Sequence, residues 1–181
     1  VFYDAYFDRA LDACVWGIYS FNGERCTANS RLFIQEGIKD EFIAALKKRV
    51  AKIKIGDPLD SAVEVGPLID RGHFNKVRGY LDIASEEGTE VITANIPEEI
   101  AKGNFVAPTI ILNAQNHMRV AQEEIFGPVL TVMTFKDEEE AINLANDIKY
   151  GLAGYVWTND IKRGHRVAHK VEAGMLWVNA Q

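Results

Sequence analysis

Phe21-Asn22-Gly23-Glu24-Arg25-Cys26-Thr27 lies between an apolar run of helical period and a short apolar run of strand character. Asn22 and Gly23 tolerate positive φ, so the chain bends sharply here and leaves a helix for a strand. The same turn carries a thiol, Cys26, with the guanidinium of Arg25 next to it in sequence. A cation beside a thiol favours the thiolate, the form that attacks a carbonyl carbon. The alternative is that Cys26 is a small buried hydrophobe, as most free cysteines are.

Cys14 provides the contrast. Phe7, Leu11, Cys14, Val15 and Ile18 recur at helical spacing, which predicts a helix from Asp4 to Tyr19, capped by Asp4, with Cys14 on its buried face. Cys26 belongs to no such stripe.

Beyond the turn, helices of helical period alternate with short apolar strands. Arg31–Gln35 reads as a buried strand. Phe42, Leu46, Val50 and Ile53 mark a helix from Lys39 to Lys54, with Lys47, Lys48 and Lys52 on its solvated face. Gly56-Asp57-Pro58 ends it. Asp70 caps a third helix striped by Phe74, Val77, Leu81 and Ala84, with Gly88 as its stop. Glu90–Thr93 is a strand and 95–104 a polar, exposed loop. Phe105–Leu112 contains Pro108, which cannot donate to a ladder, so this segment is expected at a sheet edge or irregular. Val129–Met133 is a strand, and Asp137 with Glu140 forms a capping box on the helix Glu138–Asn146. Tyr155–Thr158 is a strand, Asp160 caps a last helix to Glu172, and a final strand ends at Asn179. This alternation predicts an α/β fold: a single layered domain over residues 1–181, with a mostly parallel sheet flanked by helices.

Composition narrows the function. The 181 residues are 48% hydrophobic and 25% charged, enough for one domain with a real core. The net charge is −6 and no basic stripe is present, which argues against nucleic acid or an anionic membrane as a partner. No apolar run is long enough to span a bilayer. Two cysteines in unlike contexts make no disulfide framework, so a reducing cytoplasm is expected. Val1-Phe2-Tyr3 reads like the tail of a strand and Leu176–Asn179 like a strand with nothing after it, as in a piece of a longer protein. The 14 glycines fall at helix ends and turns, and no Gly-x-Gly-x-x-Gly follows a strand. The phosphates of any dinucleotide would then be held outside this chain. His165 and His169 lie one helical turn apart, but no glutamate stands between them and no third ligand follows, so no metal is assigned.

Tyr19–Cys26 resembles the cysteine motif of the aldehyde dehydrogenase superfamily. Gln122-Glu123-Glu124-Ile125-Phe126-Gly127-Pro128-Val129 resembles a second motif of that family. Between and after them stand Gly56–Asp60, Val65–Ile69, Tyr150–Ala153 and Ala173–Asn179, in the family's order and at its spacing. The resemblance covers nearly the whole chain. It implies an NAD- or NADP-dependent oxidation of an aldehyde, with Cys26 as nucleophile and a thiohemiacetal and thioester on its sulfur. It implies that Glu124 accepts both hydroxyls of the nicotinamide ribose, that Phe126 packs on the nicotinamide, and that Arg25 and Thr27 line the substrate pocket. An oxyanion-binding asparagine and a water-activating glutamate would come from outside this chain, leaving residues 1–181 inactive alone. The intact protein would be a homo-oligomer, a dimer or tetramer. Ser20–Thr27 and Asn116–Arg119 are most similar to the branch that oxidises 5-carboxymethyl-2-hydroxymuconate semialdehyde in aromatic-acid breakdown, a carboxylate-bearing aldehyde.

Two readings of other classes stand beside this one. A cysteine hydrolase needs a histidine base near Cys26, and His73, His117, His165 and His169 are all distant in sequence. A catalytically silent structural fragment predicts an unreactive thiol.

Overall fold

Val129–Phe135 is apolar at nearly every position, and six of its seven residues are buried. A strand without an exposed face belongs in the middle of a sheet covered on both sides. In the computed structural model, which describes residues 1–181, it is the central strand β4. It pairs in parallel with β1 (Arg31–Gln35), Leu32 opposite Val132, and in parallel with β3 (Thr109–Leu112), Ile110 opposite Leu130. Only β2 (Glu90–Thr93) is antiparallel, at the edge beside β3.

Side chains alternate across this sheet. Leu32, Ile34, Ile110, Leu130 and Val132 face α1 (Phe7–Tyr19) and α2 (Lys39–Val50). Ile111, Val129 and Met133 face α3 (Arg71–Glu86) and the short α4 (Arg119–Gln122). Ile34, Ile110 and Leu130 are wholly removed from solvent, each contributing roughly 1.5–3 kcal/mol through burial. Truncating one to alanine would cost about 2–5 kcal/mol, because the layers on both sides cannot collapse into the gap.

After α5 (Glu138–Asn146), β5 (Ala153–Val156) and β6 (Met175–Val178) form a separate parallel pair, crossed over by α6 (Ile161–Lys170). The alternation predicts one sheet, and the chain builds two. Residues 1 and 2 bridge them: Gln35 donates its N–H to the Val1 carbonyl, and Phe2 donates to that of Trp157.

Asp70, Asp137 and Asp160 all cap helices, accepting from the N–H groups of His73, Glu140, and Lys162 with Arg163. Glu140 accepts in return from Lys136. Three local expectations are corrected. Asp4 is not a cap; α1 starts at Phe7, and the Asp4 carboxylate instead accepts from the Thr158 hydroxyl, the Asp160 N–H and Arg163. α2 ends at Val50 rather than Lys54. Pro108 does not push its segment to an edge: the strand begins at Thr109, so the missing N–H lies just outside the ladder.

Candidate active site

α1 ends at Tyr19 and the chain reverses through three consecutive residues at positive φ: Phe21 at 52°, Asn22 at 58° and Gly23 at 69°. An aromatic side chain in this region is strained by roughly 1–2 kcal/mol, so neighbouring contacts must hold it. Asn22 provides one set, accepting from the Gly66 N–H at 2.8 Å and donating to the Pro67 carbonyl at 3.1 Å. Gly23 provides another by having no side chain. A Cβ there would lie 2.1 Å from the Gly127 carbonyl oxygen and 2.9 Å from that of Ile18. The cysteine turn and the Glu124–Pro128 loop therefore touch backbone to backbone.

A hydrogen-bond bridge reinforces that contact. His73, in the first turn of α3, donates from Nε2 to the Phe126 carbonyl at 2.7 Å, with Glu24 Oε1 3.4 Å from the same nitrogen. Its ring and that of Phe126, whose own φ is 61°, form a T-shaped pair. Lys76, one turn on, donates to the Glu124 carbonyl at 3.1 Å. No local pattern in the sequence marks His73 or Lys76 for this work, because their partners lie 53 and 48 residues away.

The two turns open onto one cleft of about 420 Å³, lined among others by Arg25, Cys26, Glu124 and Phe126. Cys26 is exposed to it, whereas Cys14 is buried and burial pushes its thiol up to about 12. No histidine lines the cleft. Thr27 is not among the lining residues; its carbonyl accepts from the Tyr155 hydroxyl. His165 and His169 are exposed on α6.

Arg25 pairs with no acid. Its guanidinium lies over the Trp16 ring, 4.6 Å from the centroid, and donates from one terminal nitrogen to the Gly17 carbonyl at 2.9 Å. Its Nε is buried without a partner. Arg25 lies on the cleft wall, where the Gly17 carbonyl and the Trp16 indole hold it.

Adjacent carboxylates divide their tasks. Glu123 is gripped by Arg119 through two bonds of 2.9 Å and by the Tyr80 hydroxyl at 2.9 Å, and these bonds hold its carboxyl down at about 2. Glu124 is exposed and its side chain has no hydrogen-bond or ionic partner, so both oxygens are free to accept. A free carboxylate at a cleft mouth suits a vicinal diol, since each oxygen takes one hydroxyl.

Residues 1–181 match the aldehyde dehydrogenase family along their whole length. The chain belongs to that family. It is 47% identical over 187 residues to the 5-carboxymethyl-2-hydroxymuconate semialdehyde dehydrogenase of Escherichia coli, covering 100% of this chain and 40% of the relative. The crystal structure of HpcC from Thermus thermophilus superposes with a TM-score of 0.96 at 48% identity, covering 100% of this chain and 36% of that one. A betaine aldehyde dehydrogenase from Staphylococcus aureus, solved in complex with NAD+, superposes with a TM-score of 0.96 at 44% identity, covering 99% and 36%. The chain thus spans 40% or less of the length of these relatives. The α/β fold, with its mostly parallel sheet, is that of the family. No helix is long and apolar enough to cross a membrane.

Proposed function

We propose that this chain is the catalytic domain of an NAD- or NADP-dependent dehydrogenase that oxidises an aldehyde to its acid. The observation that carries the reading is the convergence of Cys26, Glu124 and Phe126 on one cleft, from turns that touch at Gly23 and Gly127. The aldehyde we favour bears a carboxylate, like the semialdehyde named for the Escherichia coli relative. Two free cysteines suit a reducing cytoplasm. A homodimer or homotetramer is the assembly the family resemblance implies.

The Cys26 thiolate adds to the aldehyde carbon, and the carbonyl π pair moves to oxygen, giving a thiohemiacetal. Backbone N–H groups beside Cys26 face the developing oxyanion, together with an asparagine from outside residues 1–181. Glu124 accepts the two ribose hydroxyls of the nicotinamide nucleoside, and Phe126 orients the nicotinamide by packing against it. The chemistry a bound NAD or NADP supplies there is hydride acceptance, which leaves the substrate carbon as a thioester on Cys26. Water hydrolyses that thioester, returning the thiol and releasing the acid. The remaining N–H groups of Arg25 receive the remote carboxylate of the substrate.

Replacing Cys26 with alanine in the intact protein tests the mechanism, with NADH formation as the readout. Loss of turnover by several orders of magnitude, with an unchanged melting temperature, is the expected result. More than a tenth of wild-type turnover would refute it. The hydrolase alternative lacks a base, as no histidine reaches the cleft.

A further inference from the structure

Cys26 and Thr27 occupy the corners of a tight turn closed by the Ala28 N–H donating to the Arg25 carbonyl at 3.1 Å. The peptide that supplies this N–H has its carbonyl on Thr27. That oxygen accepts a 2.8 Å bond from the Tyr155 hydroxyl, 128 residues away. One peptide unit is thus held at both ends, and rotating it would break both bonds.

Elsewhere the turn is tied to α1. Arg25 and the Asn29 N–H both donate to the Gly17 carbonyl, at 2.9 and 3.4 Å, and the Asn29 side chain donates to that of Cys14. Between those anchors, at residues 26–28, Tyr155 is the only side chain that bonds the chain. Tyr155 stands on β5, lines the cleft that Cys26 faces, and lies flat on Trp177 of β6, centroids 5.0 Å apart and planes 9° from parallel. The stack sets the plane of the phenol ring parallel to the indole. Burial raises the phenol above its ordinary pKa, which keeps its proton available for donation.

We propose that Tyr155 is a positioning residue for Cys26: by fixing the Thr27–Ala28 peptide it sets the direction in which the thiol faces the cleft. This rests on Cys26 being the nucleophile. The small β5–β6 sheet then has a task in the chemistry, as the rigid mount of the hydroxyl that aims the turn.

The test is Tyr155→Phe in the intact protein, which keeps the ring and its stack while removing the donor. Three quantities are measured: the rate of iodoacetamide alkylation of Cys26 followed by peptide mass spectrometry, kcat with KM for an aldehyde, and Tm. The expected result is alkylation slowed about fivefold and kcat lowered about tenfold, with KM and Tm nearly unchanged, because a displaced nucleophile loses alignment rather than binding. Tyr155→Ala, which also loses the stack, should lower Tm as well. Wild-type alkylation and kcat in Tyr155→Phe would overturn the proposal. So would a drop in Tm with unchanged kcat per folded molecule, which marks a purely structural hydroxyl. Cys26→Ala measured in parallel separates the two levels. Activity surviving in that variant refutes the nucleophile, whereas its loss beside an unaffected Tyr155→Phe refutes only the positioning role.

Discussion

Gly23 and Gly127 meet so closely that a single methyl on Gly23 would sit 2.1 Å from the Gly127 carbonyl oxygen. Gly127 is pressed from its other side by Val77 of α3, whose methyl groups lie 2.9 Å from where its own Cβ would be. The second loop cannot retreat without displacing Val77, a side chain wholly removed from solvent. Gly23→Ala therefore forces the cysteine turn outward, against a φ of 69° that alanine also resists. We expect it to cost about 2–4 kcal/mol of stability, and to lower kcat/KM for aldehyde and cofactor together. Denaturant unfolding and steady-state kinetics on one preparation check this; wild-type kinetics would show that the two turns work independently.

Glu124→Gln should raise KM for NAD or NADP about tenfold or more, since bonds to a charged acceptor contribute roughly 1.5–3 kcal/mol. Its melting temperature should not change, because the Glu124 side chain has no partner in the protein. An unaltered cofactor KM would remove Glu124 from the site.

Glu123 should behave in the opposite way. Its folded pKa is depressed from 4.5 to about 2, so the unfolded chain takes up its proton first as the pH falls. The stability it contributes is full above 4.5 and disappears as the pH approaches 2. The difference in melting temperature between wild type and Glu123→Gln should be constant near neutrality and narrow below pH 4.5. A difference independent of pH would mean that Arg119 and Tyr80 do not discriminate the ionised form.

Arg25→Met separates two roles of the guanidinium. If Arg25 reads a substrate carboxylate, kcat/KM for an acid-bearing aldehyde should fall by about 1.5–3 kcal/mol. A neutral aldehyde of similar size should be much less affected. Equal losses on both would confine Arg25 to its contacts with Gly17 and Trp16.

Short-range chemistry is legible in the sequence. Asp70, Asp137 and Asp160 cap as expected because a cap bonds residues two or three positions on. The exposed cysteine is told from the buried one by its absence from a helical stripe. Asp4 has the look of a cap, yet its partners Thr158 and Arg163 lie 154 and 159 residues away. Pro108 misleads because one residue decides whether a missing N–H falls inside a ladder. His73, Lys76 and Tyr155 escape notice for a related reason. Each acts on a backbone carbonyl of another segment, and a carbonyl leaves no trace in sequence.

The contacts that shape the cleft share that property. The carbonyls of Gly17, Thr27, Glu124, Phe126 and Gly127 receive the side chains or the close packing that fix the two turns. Every residue type offers the same carbonyl. The accepting half of each contact is therefore indifferent to the side chain displayed beside it, and a lineage can exchange residues that make no such bond, Phe21 among them, without removing an acceptor from the frame. Such a scaffold can change the surface of its cleft while keeping Cys26 in place, with new preferences written on an unaltered mould.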